Sequence, residues 1–597
     1  MKRYWINPNY KIREEYWGSL AYFLEDITWE IGKDATDILK SCNGKTFEEI
    51  VKLSNLDIKS VQTFLNVAKK NNLLLVNEPK KIGKVIERDY KEEFCLTSPM
   101  GIFFEITNNC NMQCRHCYTS SNENEHHSKE RKELTTKEIF NLIDQASKMG
   151  VFVFSIGGGE PLIRKDIIKI LEYGIKKDLE MIPVTNGFFL NEVIVKEMKR
   201  IGLRQVVVSL DGSTEEIYTK IRGNNIFKQV TNNIQLLSKN GIRVLINVVV
   251  TKVNLYDLEN IILVSKKLNA RAIRFIRLTP SGRAKDNTDL WLNEKEYMYF
   301  VEKLSQLSKQ HTRSGFTVLK DEAFLGLFSN QQIEKRMSWL PEKYCGCPAG
   351  RSFIFIDPYG DVYPCGYLEF KEFLLGNIKE IKLEDIWQNK THNQTLDFFR
   401  KMKNLNSYCD SCKNKIMCQG GCRGTAYLKS NDLCAPDALC FRKIIEKNNL
   451  NLRKINKTDA KETSALIIKN IQEVNSKDYP QDITESLVED YKPARIEERM
   501  KEGYMLVVES GGKIVGVGRL CGAEIFDIFV LPVFHTQGIG SIIMDKLEKT
   551  AIDNGLKQVF LPASKTAIGF YKKRGYKFKK EYKASKSSHW MVKDLLN

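Results

Sequence analysis

Three cysteines in one loop carry the clearest chemistry in this sequence. Cys110, Cys114 and Cys117 follow an apolar run that begins at Ile102 and is predicted to be a strand, and their spacing is CxxxCxxC. Three thiolates placed in this way can hold three corners of a cubane iron–sulfur cluster and leave the fourth iron open to another ligand. A zinc knuckle is the alternative, but zinc would need a fourth protein ligand. The spacing therefore favours a cluster with one open metal position.

Polar and glycine-rich turns follow the next predicted strands. They occupy residues 155–161 (SIGGGEP), 185–187 (TNG) and 209–212 (SLDG). Any one of these turns is weak evidence, but together with the cysteine loop they resemble the radical S-adenosylmethionine (radical SAM) superfamily. In that family the open iron chelates the amino and carboxylate groups of S-adenosylmethionine. Electron transfer then cleaves the sulfonium to a 5′-deoxyadenosyl radical, which abstracts a hydrogen atom.

The resemblance implies a cofactor site built from these turns. The residues that it places around S-adenosylmethionine are His116, Gly158, Gly159, Glu160, Asn186, Ser209, Asp211 and Arg222. In the family, the turn that matches residues 155–161 receives the ammonium group through its backbone and Glu160, and the turn that matches residues 209–212 contacts the ribose and the carboxylate. His116 fills the usually aromatic position where a ring can lie beside adenine, and Arg222 is a further carboxylate candidate.

The elements that must position these turns alternate between strand and helix. Apolar runs begin near residues 102, 151, 181, 206, 244 and 273, with amphipathic helix-length segments between most of them. This pattern predicts an α/β fold with a parallel sheet, curled into a partial (β/α)6 TIM barrel. Active sites on such sheets lie at the carboxyl ends of the strands, where the motifs fall.

A second group of cysteines follows the predicted barrel. Its spacing is Cys347-x12-Gly360-x4-Cys365, then Cys409-x2-Cys412-x5-Cys418-x3-Cys422-x17-Cys440. This spacing resembles the SPASM extension of radical SAM enzymes, which binds two auxiliary [4Fe–4S] clusters. The resemblance therefore implies three [4Fe–4S] clusters in this chain.

The resemblance also implies how the auxiliary clusters share their ligands. One cluster would use Cys347, Cys365 and Cys422, and the other would use Cys409, Cys412, Cys418 and Cys440. We expect Cys345 to be the fourth ligand of the first cluster, although it lies nearer Cys347 than is usual. The alternative is an open iron that binds a substrate thiolate. In the sulfatase-maturing branch an Asp follows the cysteine at position 365, whereas this chain has Gly366.

The first 80 residues form a small unit with a winged-helix-like pattern. Thr46 is predicted to cap a helix with Glu49 at capping-box spacing, and a second helix is predicted from Asp57 to Lys70. The unit contains twelve Lys or Arg and eleven Asp or Glu, so it lacks the basic footprint of a DNA-binding domain. Ahead of a radical SAM–SPASM enzyme it resembles the precursor-recognition element of ribosomal peptide (RiPP) maturases, where a leader peptide adds as a strand. A purely structural cap is the alternative.

Residues 451–597 have a fresh α/β pattern. A strand at 524–532 leads to Gly538-Ile539-Gly540-Ser541 and a predicted helix over 542–554, followed by Phe570-Tyr571. A glycine turn at a helix N-terminus offers backbone N–H groups to a pyrophosphate. The segment resembles a GNAT N-acetyltransferase that binds acetyl-CoA. By that resemblance the amides of Ile539, Gly540 and Ser541 hold the pyrophosphate and Tyr571 protonates the leaving thiolate, while His535 departs from the family pattern. A degenerate, inactive domain is the alternative.

Composition limits the remaining classes of protein. The chain has 597 residues, a net charge of +18 and 15 cysteines, 13 of which fall between Cys95 and Cys440. Clustered cysteines without a signal segment or a long apolar run favour a cytoplasmic metal-binding enzyme without a membrane partner. We expect five segments: residues 1–80 for peptide recognition, 81–100 as a linker, 101–330 as the radical SAM core, 331–450 as SPASM and 451–597 as GNAT.

The combined interpretation is a multidomain oxidoreductase and transferase. It would dock a precursor peptide through its leader, form a crosslink by radical chemistry with electrons from a flavodoxin or ferredoxin, and acetylate an amine. Three alternatives stay open: a sulfatase-maturase-like enzyme acting on a protein, a small-molecule radical enzyme with acetyltransferase activity, and a DNA-binding redox sensor. The near-neutral first unit does not favour nucleic acid as a partner.

Overall fold

We analysed a computed structural model of the chain. The structure describes residues 2–23, 27–89, 95–121, 131–312, 316–320, 346–401, 405–410, 412, 415–440, 450–477, 479–510, 512–534, 539–579 and 589–595. Two compact units are present, and each is described by itself. The first comprises Met1–Leu405 with Asn414–Ala438, and the second comprises Asn406–Lys413 with Leu439–Asn597.

The amino-terminal part of the first unit contains two small sheets and three helices. The strands are β1 (Arg3–Ile6), β2 (Tyr10–Glu15), β3 (Gly18–Phe23), β4 (Ile27–Gly32), β5 (Lys45–Thr46), β6 (Leu74–Leu75) and β7 (Val85–Ile86). The helices are α1 (Lys33–Lys40), α2 (Phe47–Ser54) and α3 (Ile58–Lys70). The strand orders are β5-β1-β6 and β4-β3-β2-β7. The expected helices and the Thr46–Glu49 capping box are confirmed, and the β2–β3–β4 meander adds to them.

The central part of the first unit is the predicted parallel sheet. Its parallel strands are β8 (Gly101–Thr107), β9 (Val153–Gly158), β10 (Glu180–Thr185), β11 (Gln205–Ser209), β12 (Arg243–Val250), β13 (Ala272–Arg277) and β14 (Thr317–Lys320). The helices are α4 (Thr136–Lys148), α5 (Ile167–Lys176), α6 (Glu192–Arg200), α7 (Glu215–Arg222), α8 (Phe227–Lys239), α9 (Leu258–Lys267) and α10 (Glu294–Thr312). All six predicted strands are confirmed. β14 is a seventh strand, although the sequence of residues 281–340 predicts a helical segment there.

The segment with the second cysteine group extends the same sheet. Strand β15 (Phe353–Ile356) pairs in parallel with β8, so that Phe355 lies opposite Phe103. Strands β16 (Asp361–Tyr363) and β17 (Gly376–Asn377) continue the sheet in antiparallel orientation. The helices that follow are α11 (Leu383–Trp387), α12 (Gln394–Lys401), α13 (Ser407–Asp410), α14 (Lys415–Cys418) and α15 (Arg423–Ser430). The barrel strands and the SPASM-like hairpin therefore share one ten-stranded sheet.

The segment expected to be a linker is partly packed into the first unit. β7 pairs in parallel with β2, and residues 95–99 are buried. The fully buried Arg13 pairs with Glu15 at 2.7 Å and donates to the backbone carbonyls of Pro99 and Gly150 at 2.9 and 3.0 Å. Glu15 in turn accepts the N–H of Thr97 at 2.7 Å. These bonds fix β2 against the amino-terminal end of the parallel sheet.

The second unit has one antiparallel-rich sheet and five helices besides α13. Its strands are β18 (Asn451–Lys454), β19 (Tyr504–Ser510), β20 (Lys513–Cys521), β21 (Glu524–Val530), β22 (Gln558–Ala563), β23 (Lys577–Phe578) and β24 (His589–Asp594). The helices are α16 (Ala460–Glu473), α17 (Gln481–Asp490), α18 (Pro493–Glu502), α19 (Ile539–Asp553) and α20 (Ile568–Lys573). The strand order is β18-β19-β20-β21-β22-β24-β23. None of the helices over the described ranges combines the length and the apolar character that a membrane span requires.

Candidate functional site

The first three-cysteine loop is joined by hydrogen bonds to the glycine turn of the neighbouring strand. Gly159 donates its N–H to the carbonyl of Thr107, and Glu160 donates its N–H to that of Asn109, both at 2.8 Å. A Cβ atom at Gly159 would lie 2.1 Å from the Asn109 oxygen, and one at Gly158, whose φ is +109°, would lie 2.5 Å from the Thr107 oxygen. Glycine is therefore required at both positions, because the two backbones approach too closely for a side chain.

The sulfur atoms of this loop lie in a mixed polar environment. Cys114 is buried, whereas Cys110 and Cys117 are partly exposed. Arg222 donates to the Cys114 sulfur at 3.8 Å, and the Cys117 sulfur lies 3.4 Å from the Thr119 hydroxyl. Burial raises the pKa of Cys110 to about 11, so an iron that binds here would have to displace thiol protons. Within the described ranges no three Cys, His, Asp or Glu side chains converge on one ion position.

Asp211 lies at the centre of a buried network beneath this loop. Its carboxylate accepts from the Arg222 guanidinium at 2.6 Å and from the Val249 N–H at 2.7 Å, and it lies 3.3 Å from Nε2 of His116. Burial lowers the pKa of His116 to about 4, against the opposing charge of Asp211, so the ring is neutral at pH 7. Its Nδ1 is buried and has no hydrogen-bond partner among the described residues. Ser209 is partly exposed at the end of β11.

Glu160 connects two of the predicted turns from below. Its carboxylate accepts bonds from the Thr185 hydroxyl at 2.7 Å, from the Asn186 N–H at 2.8 Å and from the Leu162 N–H at 3.1 Å. The side-chain amide of Asn186 donates to Asn111 in the cysteine loop at 2.8 Å. Because Glu160 is fully buried and already accepts three bonds, the structure gives it a positioning role. Direct contact with the cofactor ammonium stays a prediction for this residue.

The structure brings together three cysteines of the second group. Burial raises the pKa of Cys365 far above its usual value, and the charges of Cys347 and Cys422 raise it further. This is the set that the SPASM resemblance implies for one auxiliary cluster. Of the other set, Cys418 belongs to the first compact unit, and Cys409, Cys412 and Cys440 belong to the second, so this set stays a prediction. Cys345 lies outside the described residues.

Cys42, Cys95, Cys434 and Cys521 match none of the ligand spacings, which predicts that they are spare buried thiols. Cys42 and Cys95 are buried, but Cys434 and Cys521 are partly exposed, so the expectation was wrong for the latter two. Both lie outside the cysteine sets implied by the resemblance.

Sequence reasoning did not identify Arg283 as part of the cysteine-loop site. Its guanidinium donates to the backbone carbonyls of Cys114 at 3.0 Å and Ser121 at 2.9 Å. It therefore braces the loop from a segment more than 160 residues further along the chain. No local signal marks Arg283, since the segment after residue 281 has no motif of its own.

In the second unit, the expected pyrophosphate amides lie at the start of α19. The helix begins at Ile539, so that Gly540 and Ser541 also fall in its first turn. A Cβ atom at Gly540 would lie 3.3 Å from the ring of Phe570, which keeps this turn close to α20. His535 lies outside the described residues.

Tyr571 is buried beside this helix start. Its ring contacts those of Phe570 and Tyr576 in edge-on geometry, with centroids 5.1 and 5.8 Å away. Burial raises the pKa of Tyr571, so the phenol keeps its proton at neutral pH and can act as a donor.

The base for the acceptor amine had two candidates in the sequence, Glu524 and Asp527. Asp527 accepts bonds from Tyr491, Arg499 and Arg519 at 2.8, 3.1 and 2.7 Å. Both carboxylate oxygens are thus occupied by donors from neighbouring elements. Asp527 is therefore structural, and of the two candidates Glu524 alone is still open.

Three family models match this chain. The radical SAM superfamily matches residues 104–264, an iron–sulfur cluster-binding domain (SPASM) matches residues 345–413, and a GNAT acetyltransferase domain matches residues 475–591. These ranges contain the cysteine loop with its glycine turns, part of the second cysteine group, and Tyr571 with the amides of α19.

Two curated relatives match this chain over most of their own length. The chain is 30% identical over 354 residues to the AdoMet-dependent heme synthase of Methanosarcina barkeri, spanning 58% of this chain and 97% of that protein. It is 30% identical over 351 residues to mycofactocin maturase MftC of Mycobacterium tuberculosis, spanning 58% and 84%.

The fold resembles solved structures of SuiB from Streptococcus suis. SuiB bound to S-adenosylmethionine gives a TM-score of 0.55 at 16% identity, covering 73% of this chain and 99% of that one. SuiB bound to its precursor peptide SuiA gives 0.57 at 17% identity, covering 74% and 100%. At this identity the likeness shows a shared fold.

We expect Gly159→Ala to disable the first metal site. The added methyl cannot fit against the Asn109 carbonyl, so the cysteine loop must move. Iron assays after anaerobic reconstitution should show a loss of about four irons per chain, the content of one cubane. Gly569→Ala is the control, because nothing lies within 4 Å of a Cβ atom there. Wild-type iron content in Gly159→Ala would contradict the requirement for glycine.

Proposed function

The chain belongs to the radical SAM superfamily, and we propose that it uses this chemistry to crosslink a ribosomally made precursor peptide. Its radical SAM and SPASM domains imply iron–sulfur clusters and S-adenosylmethionine, and its GNAT domain implies acetyl-CoA. The observation that supports a peptide substrate lies in the amino-terminal part of the first unit. There the sheet of β2, β3, β4 and β7 has an edge strand with one side available for pairing. Its similarity to a protein named mycofactocin maturase supports the same substrate class.

The open strand is β4, at one end of the order β4-β3-β2-β7. In the described part of the chain its outer edge pairs with no other strand. Such an edge offers unpaired backbone N–H and C=O groups, and a peptide can add to it as a further strand. Helix α1 follows β4 directly, so the edge lies beside the helical part of the same unit. Leader binding here would hold the attached core peptide at millimolar local concentration near the barrel.

Three [4Fe–4S] clusters are part of the proposal. The residues present fit the first, because three cysteines share one loop and the buried Nδ1 of His116 has no hydrogen-bond partner in the described part of the chain. When bound, the first cluster and S-adenosylmethionine supply the 5′-deoxyadenosyl radical. Cys110, Cys114 and Cys117 would hold the cluster, and the turns at residues 158–160, 186 and 209–211 would orient the cofactor. An acidic electron donor such as flavodoxin or ferredoxin suits the net charge of +18.

The auxiliary clusters would follow the two interleaved cysteine sets. The gathered set of Cys347, Cys365 and Cys422, completed by Cys345 in our proposal, supports one of them. The other would use Cys409, Cys412, Cys418 and Cys440. The residue after Cys365 is glycine, and a Cβ atom there would lie 2.8 Å from the Phe355 ring. A sulfatase-maturase-like carboxylate therefore has no room at this position, which favours crosslinking over that alternative.

The GNAT domain would act on an amine of the product or of its leader. Ile539, Gly540 and Ser541 offer the first N–H groups of α19 to the pyrophosphate of acetyl-CoA. Tyr571 would donate its proton to the leaving coenzyme A thiolate as the acetyl group is transferred to the amine. Burial keeps that proton in place until the thiolate forms.

A small-molecule substrate is the second candidate. The similarity to a heme synthase at 30% identity favours it. The peptide and small-molecule proposals differ in what the edge of β4 binds, so the leader experiment below separates them.

Iron counting tests the number of clusters. Anaerobically reconstituted protein should contain about twelve irons per chain, and Cys110→Ala and Cys409→Ala should each remove about four. Cys521→Ala is the control, since Cys521 lies outside every proposed ligand set. A wild-type content of about four that Cys409→Ala does not change would contradict the auxiliary clusters.

A chemically modified precursor tests the peptide proposal. The full-length protein is mixed with candidate precursor peptides taken from short open reading frames in its gene neighbourhood. Each candidate carries either a normal leader or one N-methylated at alternate residues. N-methylation removes backbone donors, and the loss of two hydrogen bonds should weaken binding about tenfold or more. Fluorescence anisotropy measures the affinity, and mass spectrometry with 5′-deoxyadenosine assay measures the modification.

We expect the normal precursor to lose two hydrogens and the N-methylated one to be modified far more slowly. Cys110→Ala should modify neither peptide. Equal binding of both leaders would contradict strand addition. No binding of any precursor would favour the small-molecule candidate.

Tyr571→Phe tests the acetyltransferase. Loss of the proton donor should lower the rate of coenzyme A release from acetyl-CoA with amine acceptors about a hundredfold. Affinity for acetyl-CoA, measured by calorimetry, should not change, because the pyrophosphate amides are intact. Tyr504→Phe on β19 is the control. Absence of acetyl-CoA binding in the wild type would show a degenerate domain, and an unchanged rate in Tyr571→Phe would exclude the tyrosine as donor.

A further inference from the structure

Two buried carboxyl groups lie side by side on the inner face of the sheet. Phe103 and Glu105 alternate on β8 with residues that pack outward, and Phe103 stacks on Phe355 at 6.0 Å. The register of β15 on β8 pairs Phe355 with Phe103 and Ile356 with Phe104, so Asp357 follows directly beside Glu105. Neighbouring positions on adjacent strands are about 5 Å apart. On the other side of Glu105 the paired residue is Gly157, which carries no side chain.

The hydrogen bonds of this pair are incomplete. Glu105 accepts a bond from the Tyr118 hydroxyl at 2.7 Å. Oδ1 of Asp357 accepts the N–H groups of Tyr359 and Asp361 at 2.9 and 2.8 Å. Over the ranges that the structure describes, Oδ2 of Asp357 has no hydrogen-bond partner, although the residue is fully buried. A buried carboxylate oxygen without a partner is costly, which points to a ligand or a proton at this position.

The surrounding charges do not neutralise the pair. The groups that face it are Tyr118, Tyr363, Tyr367, Asp361, Glu369 and Arg131. Arg131 is the cation of this set, and it pairs with Asp361 at 2.8 Å. Glu369 adds a third carboxyl group, whose pKa is raised by burial and by the charges of Glu105 and Asp357.

Both members of the pair hold protons more tightly than usual. Burial raises the pKa of Glu105 to about 7, and the charge of Asp357 adds to the shift against the Tyr118 hydrogen bond. Burial and the charge of Asp361 raise the pKa of Asp357 to about 7. Near neutral pH the pair therefore exchanges protons readily, as a proton acceptor for catalysis at that pH must.

The pair lies between the two cysteine groups of the first unit. Tyr118 directly follows Cys117, and its ring meets that of Tyr367 edge-on with centroids 5.7 Å apart. Tyr367 is two residues from Cys365 in the chain. Tyr118 and Tyr367 thus connect the first cysteine loop to the segment of Cys365. Glu105 joins this path through its hydrogen bond from the Tyr118 hydroxyl.

We propose that Glu105 and Asp357 form a carboxyl pair that accepts the proton released when the new bond of the crosslink closes. The proposal rests on the proposed radical crosslinking. The 5′-deoxyadenosyl radical removes one hydrogen atom from the peptide. Bond formation between the resulting radical and a second group that carries hydrogen then releases one electron and one proton. The electron goes to an auxiliary iron–sulfur cluster as oxidant, and the proton goes to the pair.

Infrared titration of the protein without clusters tests the pair independently of turnover. The wild type should show a protonated-carboxyl band that disappears with an apparent pKa near 7, and Glu105→Gln and Asp357→Asn should each alter that band. Glu372→Gln is the matched control, because Glu372 accepts a tyrosine hydroxyl, that of Tyr427, at 2.6 Å on the exposed surface. Absence of a carboxyl group that titrates near neutral pH would overturn the proposal.

Turnover with the same precursor peptide tests the role of the pair. In Glu105→Gln and Asp357→Asn we expect crosslinking to fall about a hundredfold, while hydrogen transfer from deuterated peptide into 5′-deoxyadenosine persists. Glu105→Asp should restore part of the rate with a shifted pH profile, and the wild-type rate should rise with pH through about 7.

Two results would overturn the role in proton transfer. Crosslinking at the wild-type rate in both variants would do so. A parallel loss of peptide affinity and of hydrogen transfer would instead show a binding subsite for a cationic side chain. If the wild type modifies no peptide at all, the proposed function fails, and the infrared titration still decides whether the pair shares a proton.

Discussion

The buried ion pair between Arg222 and Asp211 is the interaction on which the cysteine-loop end of the first unit depends. Asp211 follows β11 and also accepts the N–H of Val249 on β12, while Arg222 ends α7 and donates to the sulfur of Cys114. In a low-dielectric interior neither charge could exist alone, because an unpaired buried charge costs about 3–5 kcal/mol. The pair therefore fixes two strands, one helix and the metal-binding loop as one body, and the open position is organised before a ligand arrives.

The sequence could predict the parallel strands because both of their faces are buried. The sequence of such a strand is a continuous apolar run, and all six predicted strands are present. It could not predict β14, which has four residues, or the pairing of β15 with β8, which joins residues about 250 positions apart. The β2–β3–β4 meander could not be predicted from the sequence for a different reason. Arg13 and Glu15 look like surface residues, yet they are fully buried as a pair that fixes the supposed linker.

The site shows the same division between local and distant information. Cysteine spacing and glycine turns are local signals. They located the first cysteine loop and the turn at Gly158 and Gly159 that packs against it, whereas the assignment of Cys347, Cys365 and Cys422 to one cluster stays a prediction. The functions of Asp211 and Glu160 depend on partners from other strands, and the structure uses much of their hydrogen-bonding capacity inside the protein. Glu105 carried no signal, since a glutamate within an apolar strand becomes informative only when the neighbouring strand places Asp357 beside it.

The pairing of β15 with β8 limits where this chain can be truncated without exposing the edge of a strand. A segment boundary drawn near residue 330 suggests two modules, but β8 donates and accepts backbone hydrogen bonds on both of its sides. A truncated chain ending before β15 would present the apolar β8 as a bare edge, and bare edges recruit strands from other molecules. We therefore expect aggregation of such shortened chains to arise from the exposed edge of β8, so that the barrel and the hairpin are best kept together in any truncated version.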